Sequence, residues 1–314
     1  MEPKVIESPI LWDNKRYHSL DYALKRRFGE KVAKLSLDGG FTCPTRDGTK
    51  GTRGCIFCSS RGSGDFTKAG NITLQMAEQA ALLAQKWKTK RYIAYFQSHT
   101  NTYGPIEKLK ALFDEALAFP GTVGLAVATR CDCLGTEVLD LLEGYNKKTF
   151  LWVELGLQTS SDETGRLIGR GFETQQFDEV VGKLDTRGIR TVAHLIAGLP
   201  GEDGQGFLRS VRHVAALPVW GMKLQMLHVL TDSDLYEAYL KAPYRLFDRE
   251  EYVELICDAL ELIPPDKVIH RLTGDGSKDK VYAPLWTLDK RRVLTEIQQE
   301  LTRRRSYQGK FHQG

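Results

Sequence analysis

Three cysteines fall close together in a polar, glycine-rich stretch, FTCPTRDGTKGTRGCIFCSSRGSGDF, as Cys43, Cys55 and Cys58. Thiols in such surroundings are poorly placed to pack as small hydrophobes, and nothing else in the chain points to an oxidising compartment. Metal or redox chemistry is therefore preferred over a disulfide framework. The Cys55-Ile-Phe-Cys58 turn can bring two thiolates to one centre, and the loop carrying Cys43 can wrap round to supply a third. Zinc would need a fourth ligand from afar or an open position, because the segment contains no histidine. The other arrangement is an iron–sulfur cubane with three irons held by thiolates and the fourth free for another ligand.

Other residues invite chemical roles. Glu154 and Gln158 are four apart on an apolar strand, which places two polar groups on one face where they need partners. Arg130 and Asp132 follow a strand end and can organise a ligand. Cys131 and Cys133 alternate around Asp132 and need not face one metal; Cys133 is a candidate substrate-facing thiol, whereas Cys257 follows the apolar periodicity of a helix and is expected in the core. His99 either faces substrate or caps its loop. In GLPGE, Gly198 and Gly201 permit a close turn that Pro200 stiffens; it lacks the spacing and Lys–Ser/Thr pair of a phosphate loop.

The elements that must carry these groups alternate. Strands are expected at Val32–Leu37, Arg91–Gln97, Val123–Ala128, Thr149–Leu157, Thr191–Ile196 and Met222–Val229. Helices are expected between them: one capped by Thr73, one opened by Pro105, and others at Thr136–Leu142, Gln175–Thr186 and Gly206–Ala216. Such repetition implies parallel strands with crossover helices, either doubly wound or as a partial barrel, with chemistry at the strand ends. After about residue 235 the pattern changes to a helix at Phe247–Ile263, an extended run at Lys267–Arg271 and a helix at Leu288–Arg305. The expected organisation is an N-terminal helical extension (1–30), a core (31–235) and a basic C-terminal extension (236–314) that covers the core and could bind substrate.

The chain of 314 residues carries 44 Lys and Arg against 40 Asp and Glu. The last 44 residues hold 10 basic and 5 acidic side chains, so the excess lies at one end. A basic end on a neutral body suits a polyanionic partner. Lys223, His228, His270, Arg271 and Lys280 flank the expected active rim or its cover, and Trp286 precedes Lys290–Arg292; basic groups can neutralise phosphates while an aromatic stacks on an exposed base. The bland alternative is a solvated helix anchored by Trp286. No apolar run approaches the roughly 20 residues that span a membrane, and no secretory leader is visible, so a cytoplasmic location is expected.

The wide Cys43/Cys55/Cys58 spacing with Phe57 inside the last pair, VELGLQTSSDETGRLIGRG at 153–171 and HLIAGLPGE at 194–202 together resemble the radical S-adenosylmethionine (SAM) superfamily. They resemble, more narrowly, its bacterial branch related to the Elongator catalytic subunit. The resemblance covers about residues 30–235 and implies an α/β fold, a partial (β/α)6 barrel with a C-terminal α/β extension. It implies a [4Fe–4S] cluster on Cys43, Cys55 and Cys58, with SAM chelating the open iron and yielding a 5′-deoxyadenosyl radical on reduction. Phe57 would cover the cluster or pack near adenine, and Gln97, Ser98 and Thr100 would receive the methionine ammonium. The acidic, glycine-containing motif usual after the second strand is missing here. Arg130, Glu154 and Gln158 would surround SAM, Arg170 would pair with its carboxylate, and Gly198 and Pro200 would approach adenine. His99, Cys133, Lys223, His228, Arg271 and Trp286 are candidates for substrate contact.

For substrate, the resemblance implies tRNA, with the C5 side chain of the wobble uridine processed from carboxymethylaminomethyl to aminomethyl, and a reductant such as flavodoxin or ferredoxin. The stretch after residue 235 is too short for the separate acetyltransferase domain of Elongator, so acetyl-CoA-dependent carboxymethylation is not expected. A radical enzyme acting on a small metabolite or peptide, methyl transfer, and a non-catalytic Fe–S protein are the alternative readings.

Overall fold

The structure, a computed structural model, describes residues 11–62, 67, 70–85 and 87–312. Seven strands form one parallel sheet: β1 (Ala33–Leu37), β2 (Tyr92–Phe96), β3 (Thr122–Thr129), β4 (Phe150–Gln158), β5 (Arg190–Ala197), β6 (Gly221–Met226) and β8 (Val268–Arg271). Their spatial order follows the chain, so the sheet curls into a partial barrel with β1 and β8 at its two edges. The strands read as near-continuous apolar runs because both faces are covered.

Strand alternation assigns the faces. Leu35, Leu37, Leu125, Val127, Val153, Leu155 and Leu195 point outward into the main core, against α2 (Ile72–Ala84), α3 (Ile106–Ala118), α4 (Thr136–Asn146), α6 (Thr174–Asp185) and α7 (Gly204–Ala215). Each such buried side chain contributes about 1.5–3 kcal/mol. Inside the barrel, Ile93, Trp152, Val192 and Val268 form a second apolar cluster at the strand starts. That floor is closed by α1 (Leu20–Phe28), whose Leu20 and Leu24 enter it. Ser19 caps α1 through the Tyr22 N–H, and Gly29 ends it with a left-handed φ of 77°. The expected N-terminal helical extension thus contains α1, while residues 1–10 lie outside the described residues.

Several elements differ from expectation. The run Lys267–Arg271, expected in the C-terminal cover, is β8: it pairs in parallel with β6 and becomes the seventh strand of the sheet. Met222–Val229 is two strands, because β7 (Val229–Leu230) leaves the sheet to pair antiparallel with β9 (Val281–Ala283). The cap of α2 is Asn71, whose carboxamide oxygen accepts from the Leu74 N–H, and not Thr73, whose N–H and hydroxyl both donate to Glu115. Two helices carried too few periodic positions to be seen, α5 (Asp162–Leu167) and α8 (Asp234–Lys241). The C-terminal helices are α9 (Arg249–Leu262), started by an Asp248/Glu251 capping box, and α10 (Lys290–Arg303); α9 packs between α7 and α10. Among the described residues no helix is long and apolar enough to cross a membrane.

Candidate active site

The cysteine segment follows β1 and folds back over the C-terminal ends of the strands. Its turns are internally bonded: Cys58 N–H to Cys55 O at 3.0 Å, Gly54 N–H to Thr45 O at 2.8 Å, and the Arg46 guanidinium to Ser59 O at 2.7 Å. It is tied to three other elements. Ile56 donates to Ile168 O at 3.0 Å, Leu235 donates to Ile56 O at 2.7 Å, and Lys50 pairs with Asp132 at 2.6 Å. Burial opposes the Asp132 charge, yet Arg130 and Lys50 together hold its carboxyl below the usual range.

Cys43, Cys55 and Cys58 line one pocket of about 170 Å³. Cys58 is favoured as a thiolate by the Cys55 hydrogen bond and, despite burial, by the nearby Arg46 guanidinium. The thiolate is the ligating form. Among the described residues no three His, Cys, Asp or Glu side chains converge as a site for a single metal ion. Gln97, His99, Thr100, Arg130, Glu154, Gly156, Gln158 and Arg170 share the wall with Phe57. Gln158 terminates β4 with φ 71°, and His99 has φ 56°, a left-handed conformation uncommon for such residues and concentrated at functional sites. The Gln158 Oε1 is buried with no hydrogen-bond partner among the described residues. An orphan acceptor of this kind fits a ligand hydroxyl or ammonium.

Below this pocket the barrel interior is polar. Glu154 is fully buried and accepts from Tyr95 Oη at 2.7 Å, Trp152 Nε1 at 2.9 Å and His194 Nε2 at 3.0 Å, and pairs with the Lys223 ammonium. Lys223 also donates to Tyr95 Oη at 2.9 Å. Burial pulls Lys223 down to about 7 against the pull of Glu154. Burial works against the Glu154 charge as well, but Lys223 and Lys34 prevail and hold its carboxyl well below the usual range. Burial, aided by Lys223, keeps His194 neutral, down to about 4. His270 is enclosed by Trp152 and Trp220; among the described residues neither ring nitrogen has a hydrogen-bond partner, and Nδ1 lies 4.0 Å from Glu154 Oε1.

A second cavity of about 1040 Å³ opens along the seam between β1 and β8. It shares Phe57, Cys58, Gly62, Tyr95, Gln97, His194, Ile196 and Gln225 with the cysteine pocket, so the two are contiguous. Lys223, His228 and Arg271 line it, as the sequence suggested, together with Lys34 and Asp275, which the sequence reading missed.

Other expectations need correction. Arg170 does not offer its fork to a ligand: it donates to the carbonyls of Leu157, Thr159 and Phe172 and to Asp162 and Thr174, stapling the turn after β4. The Arg130 fork is occupied by Asp132 at 2.9 and 2.8 Å. The Glu154 oxygens are satisfied by protein donors, so it is a positioning residue. Ser98 turns to the Thr67 hydroxyl at 3.0 Å and lines neither cavity. Gly198 and Pro200 also line neither; Gly198 packs near Phe247, and Ile196 is the residue of that strand end that reaches both cavities. Cys133 lies beside Asp132 outside both cavities. Trp286 donates its Nε1 to Phe247 O at 3.0 Å and packs on Tyr252, an anchor for the extension and not a stacking platform. The basic face of α10 is largely ion-paired: Arg292 with Glu296, and Arg303 and Arg304 with Glu300.

Residues 48–214 match the Radical SAM superfamily, and residues 219–303 match the Radical_SAM C-terminal domain. The chain belongs to the radical SAM superfamily. It is 46% identical to the uncharacterized protein YtqA of Bacillus subtilis (strain 168), over 98% of this chain and 96% of that protein. Elongator complex protein 3 of Danio rerio is a distant relative, 28% identical over 49% of this chain and 28% of its own length. Among solved structures, the archaeal Methanocaldococcus infernus Elp3 with an N-terminal deletion superposes with a TM-score of 0.69 at 16% identity, over 88% of this chain and 64% of that one, a likeness of fold. Members of this superfamily bind a [4Fe–4S] cluster and use SAM. The residues present fit both groups: three thiols around one pocket, and an unpartnered carboxamide oxygen beside them.

Proposed function

We propose that this radical SAM enzyme modifies the C5 side chain of the tRNA wobble uridine, converting a carboxymethylaminomethyl substituent to aminomethyl, with flavodoxin or ferredoxin as reductant. The observation that carries the reading is the contiguity of the two cavities: a small pocket with three cysteines opens into a larger one, rich in cations, along the barrel seam. The distant kinship with Elongator proteins supports an RNA substrate, and a wobble base already lies in a loop, which lowers the cost of extruding it.

When bound, the cluster and SAM supply a 5′-deoxyadenosyl radical that takes hydrogen from an unactivated carbon. Cys43, Cys55 and Cys58 would hold the cluster. Gln158 would accept from a SAM hydroxyl or ammonium, and Gln97 would border both ligands. Phe57 and Ile196, apolar and common to both cavities, would exclude water from the reacting carbon.

Anaerobically reconstituted and reduced enzyme should release deoxyadenosine and convert the substituted uridine when given SAM and tRNA bearing the carboxymethylaminomethyl group. Mass analysis of digested nucleosides reads the product. Deoxyadenosine formation driven by a small metabolite or peptide, with the tRNA unchanged, would sink the RNA assignment and leave the radical chemistry standing.

A further inference from the structure

The seam cavity carries more positive charge than its carboxylates balance. Lys223 is matched by Glu154. Arg271 and Lys290 share one carboxylate, Asp275, which leaves one positive charge over. Among the described residues Lys34 has no ion-pair or hydrogen-bond partner; its ammonium lies 4.5 Å over the Tyr95 ring and faces the cavity. Burial lowers its affinity for a proton, with Glu154 opposing. Lys31 pairs with Asp21, and Lys15 has no acid within ion-pair distance, so among the described residues the six cations of this wall exceed the three acids that face them, Glu154, Asp275 and Asp21, by three.

An unmatched ammonium in a half-enclosed wall is costly unless something pairs with it. Position narrows what that could be. Lys34 is the second residue of β1 and Arg271 the last of β8, so the two stand on opposite edges of the seam. Lys34 belongs to the lower part of the barrel, well beneath the strand ends that carry the cysteine loop. A polynucleotide backbone running along the rim would not descend to it, whereas a substituent on an inserted base would. Arg adds a planar fork that matches a carboxylate, and Lys a point charge.

We propose that Lys34 and Arg271 form an anion subsite for a carboxylate carried on the reacting side chain of the substrate. The subsite rests on the reading of the seam cavity as the substrate chamber. It makes Lys34 and Arg271 the residues that select a carboxylate-bearing side chain over its neutral or purely cationic counterpart.

The test reads the subsite without RNA or radical chemistry. Intact holoenzyme is treated with formaldehyde and cyanoborohydride, and methylation of Lys34 is followed by peptide mass spectrometry, with N,N-dimethylglycine, N,N-dimethylglycinamide or inorganic phosphate present, none of which consumes the reagent. At about twice its Kd, N,N-dimethylglycine should slow Lys34 labelling about threefold. The amide should not, and Arg271→Gln should abolish the protection while labelling of surface lysines is unchanged. Absence of protection by N,N-dimethylglycine overturns the subsite, as does equal protection by the amide. Protection by phosphate as strong as by the carboxylate overturns the assignment to a carboxylate and moves the site to the nucleic-acid backbone. Deoxyadenosine release with tRNA is scored separately. Protection without RNA turnover removes the tRNA reading alone, and RNA turnover without protection removes the subsite alone.

Discussion

Glu154→Gln separates two contributions of the buried interior by their dependence on pH. The glutamine has nearly the shape of the glutamate, but one of its two terminal atoms becomes a donor. Oε2 meets Tyr95, His194 and Lys223, while Oε1 meets Trp152. The best carboxamide orientation keeps oxygen on the Oε2 side and leaves the Trp152 N–H without an acceptor. That loss is worth about 1–3 kcal/mol at any pH. The second contribution is loss of the Lys223 counter-ion. In the native protein Lys223 titrates near 7, below its unfolded value of 10.5. Between those values the unfolded chain binds more protons, so stability rises with pH; below about 7 the lysine adds no slope. Removing Glu154 lowers the Lys223 value further, so in the variant the slope continues below 7. The stability gap should then widen by about 1.4 kcal/mol per pH unit under about pH 7, adding about 2 kcal/mol at about pH 5.5. His194 and His228, both lowered to about 4 by burial, stay neutral in the folded state over this window and cancel between the two proteins. Anaerobic denaturant unfolding of both proteins at about pH 8.5 and about pH 5.5 should give losses of about 1–3 and about 3–5 kcal/mol. Glu154→Gln/Lys223→Met should recover most of the acidic excess. An equal loss at both pH values, or no recovery in the double variant, refutes the argument that Glu154 is retained as the counter-ion of a buried lysine.

Cys43→Ser, Cys55→Ser and Cys58→Ser should each lose most of the bound iron and the visible absorbance of the cluster, whereas Cys257→Ser, in the α9 core, should keep both; iron analysis after anaerobic reconstitution decides it. Gln158→Leu should weaken SAM binding about 5- to 30-fold, the equivalent of about 1–2 kcal/mol for one lost hydrogen bond, with little change in the unfolding midpoint. Gly156→Ala should act in the same direction by calorimetric titration of SAM, because its new methyl would come within 2.5 Å of the Gln158 Nε2 and drive that side chain from its place. Trp286→Ala should cost about 3–5 kcal/mol of stability while leaving the Michaelis constant for substrate within about twofold, since the ring anchors α9 and touches neither cavity.

The strands and the cysteine loop were legible because their signals are local. Apolar runs punctuated by amphipathic helices reveal β1 to β6 wherever the run is long, and the spacing of Cys43, Cys55 and Cys58 was enough to expect them around one centre; the structure places all three on one pocket. Membership of the sheet was not legible for β8, since four residues, VIHR, carry no period that separates an edge strand from a loop. The fate of arginines was equally hidden. Arg170 and Arg130 look like ligand forks in sequence, yet carbonyls and acids from other turns consume them, and that is settled by tertiary contacts. Lys34 offered one overlooked clue: in AKLSL, lysine and serine alternate with leucines, so one face of a strand otherwise suited to burial is polar. In the structure Lys34 and Ser36 of that face line the seam cavity.

The barrel has a sound apolar floor in α1, Trp152, Ile93 and Val192, so the fold did not require polar residues in the layer above it. Replacing a buried ion pair by packed apolar groups is commonly neutral or stabilising. Glu154, Lys223, Tyr95, His194 and His270 nonetheless occupy that layer, between the floor and the cysteine pocket, with the seam cavity at their side. A layer that the fold can do without, and in which Lys223 costs stability as pH falls from about 10.5 to about 7, has its rationale in the cavity it borders. Tyr95 and Lys223 donate to a saturated carboxylate, which holds both side chains in place in the chamber wall. Among the described residues the unmatched charge then lies with Lys15, Lys34 and the shared Arg271–Asp275–Lys290 group, along the seam. Rigidity around the cysteine pocket and unsatisfied charge along the seam are complementary demands of one site: a radical enzyme must hold the target carbon still, and the proposed anion subsite would pin the carboxylate next to it.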